Sequence, residues 1–188
     1  MWPFSHCTLI FLPAHFIFHY IFIIFIIFFF GFSHRLRLDL VINTLTAKAF
    51  HEGKIQIFGG SQWRPFVHVS DVCNAIIKVL EAPIHKVKGE IFNVGSEKHN
   101  LQIKMLGEFI KNKLPNTRIE VKEKDVDKRD YKVSFEKIRK TLGFGVEKTV
   151  DDGILELKEA FEKGLVSDYS DEKYSNYVFL NKKILKRK

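Results

Sequence analysis

The stretch that most limits how this chain can fold is Ile55–Ala75, IQIFGGSQWRPFVHVSDVCNA. Ile55–Phe58 alternates as a strand does, Gly59-Gly60 breaks the run, and Trp63–Val69 reads as a second strand. Asp71 stands where a helix N-cap belongs, and Val72, Ala75, Ile76, Val79 and Leu80 come after it at spacings of three and four, one apolar helical face. Two strands and an amphipathic helix at such close quarters imply an α/β domain with short strands. Arg64 sits between the turn and the second strand. Its planar fork suits the paired oxygens of a phosphate or carboxylate, and it equally suits an ion pair with a nearby acid.

Charge is distributed unevenly around this stretch. Nothing before Arg35 is charged, and about half of the 19 Phe residues lie there, so residues 35–188 carry the whole net charge of +8. Leu9–Phe32 is uncharged, and Ile21–Phe30 is unbroken Ile and Phe. That is long enough for the ~20 apolar residues of a membrane-spanning helix. The expectation is therefore a hydrophobic N-terminal helix within residues 1–33, with residues 9–32 as a possible membrane contact. Arg35 and Arg37 would then favour a cytoplasmic C-terminal side. No positive segment precedes the run and no small-residue cleavage site comes after it, which excludes an ordinary signal peptide. A second reading is the translation of AT-rich DNA ahead of a truncated reading frame, since Phe and Ile have T-rich codons. His15 and His19 are four residues apart but have no third metal ligand nearby.

Five helices are expected beyond the leader. They are Leu38–Glu52, the helix after Asp71, one capped by Asn100 and ended before Pro115, one from Ser134 to Leu142, and one opened by Thr149. In the last, Thr149-Val-Asp-Asp152 has the spacing of a capping box. Glu90–Val94 and Arg118–Lys122 read as further short strands. Residues 167–188 turn polar and then basic, five of the last seven being Lys or Arg, and are read as a tail. The tail has no interleaved aromatics, which argues against nucleic-acid binding. Cys7 and Cys73 imply no disulfide framework, and Cys73 is expected to be a buried thiol.

Several segments in order resemble the NAD-dependent epimerase/dehydratase family, the extended short-chain dehydrogenase/reductases that act on nucleotide sugars. These are Arg35-Leu-Arg-Leu-Asp-Leu-Val-Ile-Asn43, the Phe58-Gly-Gly to Asp71 stretch, Gly89-Glu-Ile-Phe-Asn-Val-Gly95, and Lys128-Arg-Asp130 with Ser134–Gly143 after it. The likeness covers roughly residues 34–164 and is to the C-terminal, substrate-binding portion. It implies a nucleotide-sugar-binding portion at residues 34–166. Arg64 and Arg129 match two arginines that contact the diphosphate, and Asn43 matches a position that can face the nucleotide. Asp130 would orient Arg129 or bond a neighbouring backbone group, and His68 would be a structural imidazole. Family members usually carry Arg-Asp where this chain has Arg64-Pro65.

The resemblance also implies NAD in the parent family, yet the chain offers neither of the features NAD chemistry needs. Gly59-Gly60 and Gly143-Phe-Gly145 lack the three-glycine spacing of a pyrophosphate turn. Tyr169-Ser-Asp-Glu-Lys173 has the Tyr-x-x-x-Lys spacing but lies after the substrate portion, as a chance match would. The expectation is a nucleotide-diphosphate-sugar binder that holds no NAD by itself. It would act with a dinucleotide-binding half or self-associate, with its globular part beside cytosolic nucleotide sugars. A membrane-tethered, non-catalytic binding module is the alternative.

Overall fold

The computed structural model describes residues 23–25, 28–123, 127–176 and 178. Most of the uncharged leader, His15 and His19 included, and the basic end of the chain lie outside them. Among the described residues the strands are β1 (Ile23–Phe25), β2 (Phe28–Phe30), β3 (Lys54–Phe58), β4 (Trp63–His68), β5 (Ile91–Asn93), β6 (Asn100–Gln102) and β7 (Arg118–Lys122). The helices are α1 (Val41–Glu52), α2 (Val69–Glu81), α3 (Ile84–Val87), α4 (Ile103–Lys113), α5 (Glu136–Leu142) and α6 (Val150–Glu162).

The largest departure from expectation is in the apolar run. Ile23–Phe25 and Phe28–Phe30 are strands, not a helix. β1 lies parallel to β5, and β2 lies parallel to β4 with Phe30 opposite His68. β2 is packed on both faces, and a strand so covered has no polar face, so it reads as continuous Phe. Such a run cannot be told from a buried helix by periodicity alone. Phe28 and Phe30 point into one core, with Ile55, Phe66 and Ile154, while Phe29 packs against another, with Val67, Val79 and Phe92. No helix among the described residues is long and apolar enough to cross a membrane.

β4 is the central element, sending Phe66 to the first core and Val67 to the second. It changes partner along its length. Trp63, Arg64 and Pro65 run antiparallel to β6, whereas Phe66, Val67 and His68 run parallel to β2. Pro65, with no N–H to donate, stands at the end of the β6 pairing, where the loss costs least. β3 and β7 form a separate parallel pair, Lys54 to Phe58 against Arg118 to Lys122.

The helix starts show where side-chain chemistry overrode pattern. α1 begins at Val41 instead of Leu38, with Leu40 still extended before it, and the Leu38 N–H pairs with the Tyr174 carbonyl at 2.9 Å. His68, not Asp71, caps α2, its Nδ1 accepting from the Ser70 N–H at 3.2 Å. Asp71 is buried, and its carboxylate takes the N–H groups of Glu147 and Lys148 at 2.9 and 3.2 Å. Asn100 does not cap α4 but locks the Val133 backbone from both sides, at 2.9 and 3.0 Å. The capping box of α6 forms as expected, Thr149 and Asp152 each serving the other's backbone N–H. Cys73 is exposed, as are Ile76 and Leu80, so the buried stripe of α2 is narrower than expected, Val72, Ala75 and Val79.

Residues 167–176 run back over α1. The Tyr169 ring stacks on His51 with centroids 4.6 Å apart, and the Asn176 N–H donates to Asp39 at 3.1 Å. Tyr169 donates its hydroxyl to Glu52, and that bond, then burial, raises its pKa. A general-base tyrosine needs the opposite shift. Lys173 is engaged with Asp171 at 3.1 Å.

Candidate functional site

The site is built where the segment Asp127–Val133 lies along the outer end of β4. Asp130 accepts from the Trp63 N–H at 2.7 Å, so it serves the backbone. Lys132 sits over the Trp63 ring, 3.6 Å from its centroid. Between these anchors the segment brings Arg129 to Arg64 from 65 residues away.

Arg64 is 3% exposed. Its Nη1 donates to the carbonyls of Trp63, at 2.7 Å, and of Arg129. The rings of Phe28 and Tyr131 flank the guanidinium, with centroids 5.9 and 5.3 Å from its central carbon. Nη2 reaches the Asp127 carboxylate at 3.0 Å. Arg129, largely exposed, grips the same carboxylate through Nη2 at 2.7 Å and Nε at 3.0 Å. Two guanidinium groups from distant parts of the chain thus share one carboxylate. The Arg129 side chain, the Arg129 N–H and then Arg64 hold Asp127 far below the usual carboxylate range, and Asp127 raises Arg129 in return.

Beside this pair opens a cleft of about 290 Å³. Its apolar wall is Phe28, Val41, Leu45, Ile57, Phe58 and Ile103, and its polar groups are Gln56, Gln62, Arg64 and Asp127. Gln62 is occupied in the β3–β4 turn, accepting from Gly60 N–H at 2.7 Å and donating to the Phe58 carbonyl at 2.9 Å. An apolar cleft next to paired cations can take an aromatic ring joined to an anion. A larger hollow, about 590 Å³ beside Phe32 and α6, contains Lys148 and Lys163, but Glu156 and Glu159 already neutralise them.

Asn43 is placed differently from the two arginines. It is 1% exposed, and its amide clamps the turn after β2. Its Oδ1 accepts from the Gly31 N–H at 3.0 Å, and its Nδ2 donates to the carbonyls of Gly31 and Arg37 at 3.3 and 2.9 Å. Gly31, at φ 104°, passes so close to His68 that a Cβ there would lie 2.1 Å from Nε2. His68 bridges Ser70 at 2.7 Å and Glu156 at 2.8 Å, as a structural imidazole would. Phe28 and Tyr131 are the site residues that sequence reasoning missed. Phe28 was hidden in the apolar run, and Tyr131 carried no signal beyond lying two residues after Arg129.

Neither glycine cluster of the sequence sits where a pyrophosphate turn would. Gly59-Gly60 joins strand to strand, and Gly143 ends α5 in the left-handed conformation. Neither lies between a strand and a helix N-terminus, where a pyrophosphate would be held.

Residues 19–95 match the model of the NAD dependent epimerase/dehydratase family, so the likeness begins inside the apolar run and not at residue 34. Among similar solved structures is MoeE5, described in complex with UDP-glucuronic acid and NAD, at 19% identity and TM-score 0.64, covering 76% of this chain and 47% of that one. UDP-glucose 4-epimerase from Thermotoga maritima, with UDP-glucose, has 21% identity and TM-score 0.64, covering 77% and 46%. dTDP-glucose 4,6-dehydratase from Bacillus anthracis, in complex with NAD, has 22% identity and TM-score 0.63, covering 84% and 47%. The chain spans about half the length of each. Residues 19–95 are thus similar to the NAD dependent epimerase/dehydratase family, and the described residues share the fold of these solved structures.

Proposed function

We propose that this chain binds a nucleotide-diphosphate sugar through the Arg64–Arg129 pair and the adjoining cleft, as the substrate-binding portion of an NAD-dependent epimerase or dehydratase. The observation that carries this reading is the meeting of two guanidinium groups on one carboxylate beside an apolar slot. A diphosphate presents paired anionic oxygens that such forks bind with charge-assisted hydrogen bonds. The base attached to it would lie against Phe28, Val41 and Phe58, which supply an apolar wall but no sugar chemistry.

The reaction itself needs a hydride acceptor and a proton-transfer pair, and in this reading both come from outside the Arg64–Arg129 cleft. This chain would therefore contribute the grip on the substrate and no turnover of its own. A dinucleotide-binding partner would bring NAD, which takes up and returns a hydride in this family's chemistry. Asn43 has a supporting role, holding the β2–α1 turn that carries Val41 to the cleft.

Isothermal titration of the full chain with UDP tests the reading. Wild type is expected to bind, and Arg129→Ala to bind roughly 10- to 100-fold more weakly, the cost of about 1.5–3 kcal/mol for hydrogen bonds to a charged group. Arg129 is exposed, so the variant should keep its far-ultraviolet circular dichroism. Equal affinity in the two proteins, or no binding by wild type, refutes the site.

A further inference from the structure

Arg64 is a buried cation at the edge of the cleft. Its Nη1 is committed to two backbone carbonyls, aromatic rings flank it, and Nη2 meets Asp127 at 3.0 Å. The same oxygen of Asp127 takes Arg129 Nη2 at 2.7 Å and Nε at 3.1 Å. The other takes Arg129 Nε at 3.0 Å and the Arg129 N–H at 3.1 Å. An external anion can meet the exposed Arg129 directly, and at Arg64, which lines the cleft, it competes with Asp127 for Nη2.

We infer that Asp127 is an internal occupant of the phosphate seat, and that a ligand's phosphate binds by displacing it. This rests on the reading of the cleft as a nucleotide-diphosphate site. The exchange is balanced in contacts, since phosphate oxygens replace carboxylate oxygens on the same donors. It is not balanced in charge. One carboxylate against two guanidinium groups leaves one positive charge uncompensated, and a diphosphate compensates both. Asp127 is 42% exposed, so the displaced carboxylate regains water at little cost. A monophosphate gains less from the exchange than a diphosphate does. Asp127 is therefore a selectivity residue: it sets the charge a ligand must carry to enter.

The test is titration of the full chain and its Asp127→Asn, Asp127→Ser and Asp127→Glu variants with UDP and with UMP. Loss of the competing charge should tighten UDP binding roughly tenfold in Asp127→Asn, as neutral hydrogen bonds are about half as strong as charged ones. UMP should gain more, so the preference for UDP narrows. Asp127→Glu, which keeps the charge, should stay within about twofold of wild type, a change below ~0.5 kcal/mol. If wild type binds UDP and Asp127→Asn binds it equally or less well, Asp127 orients the arginines instead, and the inference falls while the site stands. Equal tightening in Asp127→Glu overturns it as well, because charge is then not the cause. Should neither uncharged variant fold, Asp127 is a structural counter-ion and the inference fails. If no protein in the set binds UDP, the proposed function fails with it.

Discussion

Substituting Gly153 by Ala sets two effects of opposite sign against each other. Gly153 lies in the first turn and a half of α6. At an uncrowded helix position Ala is better than Gly by ~1 kcal/mol, so the change should stabilise the chain. Here the added Cβ would stand 2.5 Å from two carbons of the Phe30 ring, and 3.4 Å from His68 Cδ2. Phe30 is 1% exposed and set edge-on to His68 at 5.2 Å, so it has no free volume to retreat into. Overpacking of this kind costs about 1–3 kcal/mol. The expected net effect is a loss of about 1 kcal/mol, read as a lower urea midpoint with unchanged slope in circular dichroism. Phe30→Ala alone should cost about 3–5 kcal/mol. In that background Gly153→Ala should become stabilising, a coupling of about 1 kcal/mol or more. A Gly153→Ala protein more stable than wild type would refute the placement of Phe30 under α6, and with it the reading of the apolar run as sheet.

Asn43→Ala should lower stability by about 2–4 kcal/mol, because it strips partners from buried groups of Gly31 and Arg37. Its UDP affinity should stay within about twofold of wild type (~0.4 kcal/mol) if the amide serves the backbone; a tenfold loss would put Asn43 at the nucleotide. Burial pushes the Glu156 carboxyl up, but its hydrogen bonds to His68 and Lys148 outweigh that and hold it below the usual range. A carboxyl lowered in the fold contributes stability above its unfolded pKa, about 4.3, and loses it as pH falls through the folded value. Thermal melts between pH 3 and 6 should therefore show a shallower acid limb for Glu156→Gln, and an unchanged limb would refute that role.

Local pattern made the alternating strands and the amphipathic helices readable, because burial of one face leaves a period in the sequence. Ile55–Phe58, Arg118–Lys122 and the Thr149 capping box needed no tertiary knowledge. The apolar run did not yield to the same method. Phe28–Phe30, packed on both faces, has no period, and only its partners at 66–68 distinguish it from a helix. Asp71 and Asn100 misled for a related reason. Both are good caps by type, yet each binds a backbone segment more than 30 residues away. Resemblance singled out Arg64 and Arg129 as a pair, and the fold brings them together. Their shared carboxylate was not legible, because it depends on a fold-back that spacing does not encode.

The order in which the strands are made has a consequence for the growing polypeptide. Ile23 pairs with Ile91, and Phe28 with Phe66, so the partners of the greasiest segment are synthesised well after it. At translation speeds of ~5–20 residues per second, Ile23–Phe25 waits roughly 3–14 s for its neighbour strand to be polymerised. During that interval the segment has no strand to pair with. This is the period in which a chaperone that shields bare hydrocarbon would decide the yield of folded protein, whatever the stability of the finished product.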